Sequence, residues 1–180
     1  AAAESLSKHE EVLEIKLGNL PSSAAAILGE MTEGIAEQFL ADASSVNLYK
    51  FPSLSDAAAE SLSKHEGDEL FLNGLTSLSD AAAESFSKHQ GWELGLNGLT
   101  SLTDAAAESL GKKKRGWLDL SGLTTLSDAA AESLSKFEGG DLNLGGLTSL
   151  SDTAAESLSK HKGYCLELNG LTSLSDAAAE

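Results

Sequence analysis

Basic residues are scarce in this chain. Twelve lysines and arginines stand against 28 aspartates and glutamates in 180 residues, for a net charge of −16. Such a surface repels polyanions, which excludes non-specific binding to nucleic acid or to an anionic membrane as a function class. Cysteine occurs once, at Cys165, so no internal disulfide forms and the redox compartment stays open. No apolar run approaches the roughly 18 residues of a membrane-spanning helix, so membrane insertion is not expected. Phosphate loops, zinc-ligand spacings and nucleophile elbows are also missing, which points to no enzyme, no cofactor and no metal. The first residues, Ala1-Ala2-Ala3-Glu4, read as the middle of a repeat rather than as a secretory leader.

What the chain does have is a period. Ser-Asp-Ala-Ala-Ala-Glu returns, with small variations, with its aspartate at Asp56, Asp80, Asp104, Asp128, Asp152 and Asp176, always 24 residues apart. A fixed period in this range marks a solenoid of stacked units, each of which buries its apolar face only against its neighbours.

One unit illustrates all of them. Leu70-Phe71-Leu72 before Asn73-Gly74 is a short alternation ending in a turn signal, which predicts a brief strand with Leu70 and Leu72 on one face. Leu75 and Leu78 carry the chain inward through a Thr76-Ser77 corner. Ser79 or Asp80 then starts a helix, with a side-chain oxygen able to cap its first N–H groups. Ala82 and Phe86 lie four apart and face inward with Leu78. Glu84 and Lys88 form an i, i+4 pair that recurs as Glu60/Lys64, Glu108/Lys112, Glu132/Lys136 and Glu156/Lys160. The prediction is an α/β solenoid of right-handed β-α repeats of 24 residues. A parallel sheet of about seven strands lines its concave face and helices line its convex face. The strands centre near Ile15, Asn47, Phe71, Gly95, Asp119, Asn143 and Glu167.

The Leu70-x-Leu72 strand and the helical stretch from Leu78 to Phe86 resemble the leucine-rich repeat, in its bacterial and ribonuclease-inhibitor-like variants with convex helices. Two positions depart from that family. Leucine (Leu75, Leu99, Leu123, Leu147, Leu171) stands where the family has its ladder asparagine, and glycine (Gly67, Gly91, Gly139, Gly163) replaces the first leucine of the longer pattern. The resemblance implies protein recognition on the concave sheet and an extracellular or cell-surface location.

Residues 1–180 read as one solenoid, with degenerate repeats over 1–52 and regular ones over 53–180. Within the degenerate part, Ser22 to Ala43 reads as a longer helix, with Ile27, Met31, Ile35 and Phe39 at four-residue spacing. It is either an older repeat or part of a cap. Both termini cut through the same motif, which suggests a fragment of a longer array or units that stack end to end.

Function is sought where the repeats differ. One outward sheet column reads Glu69, Glu93, Trp117, Asp141, Cys165, and the next reads Phe71, Gly95, Asp119, Asn143, Glu167. Exposed aromatics such as Phe71 and Trp117 are costly unless covered, which suggests a partner-binding face made of Glu69, Phe71, Glu93, Trp117, Asp119, Asp141, Asn143 and Glu167. Drift at unconstrained outward positions is the alternative. Trp92 and Tyr164 precede their strands, where side-chain parity is unreliable.

The column of His65, His89 and His161 includes Lys113 and Phe137, which no metal site tolerates. It reads as amphipathic residues at helix C-termini. Lys112-Lys113-Lys114-Arg115 is the one basic cluster and could serve as an address or a phosphate patch, but it also sits at a helix C-terminus. His161 and Cys165 lack a third group to orient them as a nucleophile pair. Thr76, Thr100, Thr124, Thr148 and Thr172 could form a hydroxyl ladder for ice or carbohydrate, or could satisfy backbone groups at the corner. The leading expectation is a recognition or scaffold module for a protein or glycan. Behind it stand an end-to-end assembling structural protein and, lower, the threonine ladder.

Overall fold

A computed structural model describes residues 29–173. The helix expected over Ala1 to His9, the strand near Ile15 and the last motif at Asp176 lie outside the described residues. The described residues begin with β1 (Glu30–Met31), α1 (Glu33–Ala41), β2 (Ser53–Leu54) and α2 (Asp56–Leu62). Strand and helix then alternate through β3 (Glu69–Phe71), α3 (Asp80–Ser87), β4 (Glu93–Gly95) and α4 (Asp104–Leu110). The series closes with β5 (Trp117–Asp119), α5 (Asp128–Leu134), β6 (Asp141–Asn143), α6 (Asp152–Leu158) and β7 (Cys165–Glu167).

Strands β3 to β7 form one parallel sheet in sequence order. Its register sets each residue beside the equivalent one 24 positions on, as in Glu69 beside Glu93, Leu118 beside Leu142 and Asn143 beside Glu167. The reason is visible in the leucines. Leu70, Leu94, Leu118 and Leu142 are fully buried, as are Leu72, Leu96, Leu120 and Leu144, and any slip would move them to the outer face. Burying one leucine contributes about 1.5–3 kcal/mol, so every added unit reinforces the register. The helices pack consecutively on one another beside the sheet. Ala82, Ala83 and Phe86 are buried in α3, and Ala106, Ala107 and Leu110 repeat them in α4.

Each regular helix starts the same way. The hydroxyls of Ser55, Ser79, Thr103, Ser127 and Ser151 accept the N–H of the third residue on, at 3.0–3.2 Å. Serine or threonine is therefore the cap, and aspartate is the first helical residue. From Ser79 onward each capping hydroxyl also donates to the aspartate of the preceding unit. Ser79 reaches Asp56, Thr103 reaches Asp80 and Ser127 reaches Asp104, each at 2.5 Å, and Ser151 reaches Asp128 likewise. Caps and aspartates thus form one ladder running across the units. The Glu/Lys pairs also form, at 2.8–3.2 Å along α2 to α6, with both partners exposed.

The first unit differs from expectation. No single helix fills the described part of the Ser22–Ala43 stretch. Gly29 has φ +80°, Glu30 and Met31 form β1, and only Glu33–Ala41 is helical. β1 pairs with β2 in a small parallel sheet of its own, Met31 beside Leu54. Met31-Thr32-Glu33 is a degenerate copy of Leu54-Ser55-Asp56, and Met31 is the inward residue before the helix. Its four-residue spacing from Ile35 imitates a helical turn. Thr32, unlike its successors, makes no side-chain cap. The strand expected near Asn47 is replaced by a 3₁₀ turn over Leu48–Lys50, because the Asn47 side chain accepts the N–H of Tyr49 at 3.1 Å and draws the chain in. Val46 and Leu48 stay buried, as Leu70 and Leu72 are.

Removing one rung tests the ladder. Ser127→Ala should lower stability by about 1–2 kcal/mol in urea unfolding, since it deletes a helix cap together with the link to Asp104. Ser87→Ala, which removes only a bond to a carbonyl within its own helix, should cost clearly less.

Candidate binding surface on the sheet

The two variable columns are adjacent and in register. Glu69, Glu93 and Trp117 follow one another across β3 to β5, and Asp141 lies beside Cys165. Phe71, Gly95, Asp119, Asn143 and Glu167 run alongside. All eight expected site residues therefore share one face. Glu69 and Trp117 are exposed, and the other six are half-buried.

Phe71 departs from its expected role. Its ring lies over Gly95, where an added Cβ would come within 2.7 Å of Cδ1, so it is packed rather than a free aromatic. Trp117 is 41% exposed, and its indole lies over Gly140, where a Cβ would meet Cδ1 at 2.6 Å. Two more exposed aromatics stand just before the strands: Trp92 at 55% and Tyr164 at 90%. The parity rule failed for them because each sits one residue outside its strand. The useful signal is their column, Asp68, Trp92, Gly116, Gly140, Tyr164, in which Gly140 leaves the space that the Trp117 indole covers.

Carboxylates dominate the face. Partial burial, with the charges of Glu69 and Asp119 nearby, raises the Glu93 pKa above its ordinary value. Asp119 accepts from the Asn97 side chain at 3.2 Å and from the Ser121 backbone N–H at 2.9 Å. Asn143 accepts the N–H of Gly145 at 2.9 Å. Asp119 and Asn143 are thus held by local turns, while Glu69 and Glu93 repel each other across neighbouring strands. Among the described residues no group of three or more His, Cys, Asp or Glu side chains could hold a metal ion. Nor, among them, is any helix long and apolar enough to cross a membrane.

The histidines follow the helix ends, as amphipathic residues there should, with His65 and His161 half-buried, and their rings stack in pairs. His89 is buried, its ring stacks on His65 at 6.4 Å, and His161 stacks on Phe137 at 6.2 Å. Desolvation lowers the pKa of His89 and of His161, which keeps both rings neutral near pH 7. The glycines that follow explain their own presence. A Cβ on Gly67 or Gly91 would strike the imidazole two residues before it, at 2.3 and 2.4 Å.

Lys113 occupies this stack fully buried. Its ammonium donates to the carbonyls of His89 at 3.1 Å, Gly91 at 3.2 Å and Arg115 at 2.5 Å. Arg115 stands where its neighbours have glycine, and Gly116 takes φ +74° directly after it, with no room for a side chain beside the Trp92 carbonyl. The basic run is thus split among different surroundings. Lys112 pairs with Glu108, Lys114 reaches Glu138 at 3.3 Å, and Lys113 is inside. The threonine corner is likewise in use at two described places. Thr76 and Thr172 donate their hydroxyls to the carbonyls of Pro52 and Thr148, one unit earlier.

No protein-family model matches the chain, and no curated protein matches it. The resemblance to leucine-rich repeats accordingly rests on the α/β repeat architecture and on the residues quoted for it.

Lys113 sets a pH dependence. Burial, and secondarily the charge of Arg115, lowers its pKa from 10.5 to about 8. Between those values the unfolded chain binds more protons than the folded one, so Lys113 makes stability rise with pH across that window. The difference in unfolding free energy between wild type and Lys113→Met should therefore grow in favour of wild type from pH 8 to 10.5. A flat difference would show the ammonium to be as well solvated inside as in water.

Proposed function

We propose that this chain is a non-enzymatic recognition module that binds a protein partner with a basic surface across the outer face of β3 to β7. The observation that supports it most is the clustering of Glu69, Glu93, Asp119, Asp141 and Glu167 in two adjacent columns around an exposed Trp117. Like charges held side by side destabilise the free protein, and a cationic partner relieves that repulsion. Trp117, Trp92 and Tyr164 add ring faces that attract lysine and arginine side chains. Strands about 4.8 Å apart beside helices that need about 8–10 Å each bend such an array, with the sheet inside the curve. That curvature, the right-handed coil and the resemblance to leucine-rich repeats all favour an extended partner over a small ligand.

Binding to arrays of basic, neutral and acidic peptides, run beside a glycan array, tests this reading. Basic peptides should be retained, affinity should fall steeply between low and high salt, and Trp117→Ala should weaken binding at least tenfold. Equal retention of acidic and basic peptides, or an unchanged Trp117→Ala variant, would overturn it. Retention of glycans alone would transfer the face to carbohydrate. No binding at all, with a mass that grows with concentration in light scattering, would favour the end-to-end assembling protein instead.

A further inference from the structure

The main sheet has a seam at its first strand. β3 pairs with β4 on one side only, and no backbone hydrogen bond joins Glu69 or Phe71 to the stretch from Val46 to Tyr49, which lies where a preceding strand would be. The 3₁₀ turn at Leu48–Lys50 draws that stretch away from the ladder. A cleft of about 320 Å³ opens between the two, lined by Phe39, Val46, Leu48, Tyr49, Glu69 and Phe71, with Ala43 and Asn47 at its margin. Its deeper walls, Phe39, Val46 and Leu48, belong to the hydrophobic core. Tyr49 is more than half exposed beside it. Glu69 is the one charged lining group.

We propose that this cleft is an anchor pocket for one aromatic side chain of the basic partner, next to a cationic group that pairs with Glu69. The volume falls at the lower end of the range for ligand pockets and suits a single ring rather than a drug-sized molecule. Buried apolar walls with a polar mouth are the surroundings in which a hot-spot residue seats. The occupant's charge follows from Glu69 and from the net charge of −16, which disfavour an anion. Glu69 and Phe71 line both the cleft and the sheet face, so the pocket continues the proposed recognition surface, and the inference rests on that reading. Interaction with the cleft can still be measured without the partner.

Tryptamine combines an aromatic ring with an ammonium group, and indole and indole-3-acetate serve as its neutral and anionic counterparts. In ¹H–¹⁵N spectra, tryptamine should shift the amides of Ala43, Val46, Asn47, Leu48, Glu69 and Phe71, with affinity about tenfold above that of indole-3-acetate. Ala43→Trp, which fills the cleft, should abolish those shifts. Glu69→Gln should reduce tryptamine binding several-fold while leaving indole unchanged, and it carries the test should Ala43→Trp fail to fold. Shifts elsewhere, no shifts at millimolar probe, or indole-3-acetate binding as tightly as tryptamine would overturn the pocket. Those results would leave the sheet-face reading to be decided by Trp117→Ala and the salt dependence.

Discussion

Every unit completes the burial of its leucines against its neighbours, so each strand residue comes to lie beside its own equivalent. This constraint governs the rest of the molecule. Stacking identical residues favours leucine, whose contacts add up along the array, and penalises charge, whose repulsion adds up in the same way. The charged columns are arranged around that penalty. Along the helix starts, the hydroxyl of the following unit donates to each carboxylate from Asp56 to Asp128. On the helices, the glutamate column runs beside a lysine column, each pair in contact and each contributing about 0.2–0.5 kcal/mol. On the outward sheet columns Asp119 has donors in Asn97 and Ser121, whereas Glu69 and Glu93 lie side by side across neighbouring strands.

The same constraint accounts for Lys113. A column built for stacked rings admits a lysine only if its ammonium finds acceptors inside, and three carbonyls supply them. That arrangement coincides with the loss of the usual glycine at Arg115 and with a positive φ at Gly116. What reads in the sequence as four consecutive surface cations is a buried cation between two ion-paired ones, followed by an arginine whose carbonyl serves as an acceptor. A charge run in a repeat protein has to be read column by column, because adjacent positions belong to different environments.

Much of the regular array was legible because period, patterning and capping agree. The strands at Phe71, Gly95, Asp119, Asn143 and Glu167, the inward Ala82 and Phe86, and the Glu/Lys pairs follow directly from spacing. The first unit was not, because Met31 satisfies helical spacing to Ile35 while serving as the last residue before the helix. Only its pairing with Leu54 distinguishes the two roles. The histidine stack was hidden for another reason. A helix-end position does not say that rings stack across units, although the glycine two residues on is a trace of the close approach. Within the binding surface, membership of the columns was legible and exposure was not. Phe71 is packed, while Trp92 and Tyr164 are the more open aromatics.

The outward columns also contain two cross-unit pairings of a ring with a glycine. Phe71 lies over Gly95 in the next unit, and Trp117 lies over Gly140 in the next unit. In both cases a large ring is matched by the one residue with no side chain to obstruct it. Each match spans two units. The matched pairs lay each ring along the face, with Trp117 still open on its outer side. On the reading proposed above, a cationic partner would meet carboxylates and the open side of Trp117 together on this face.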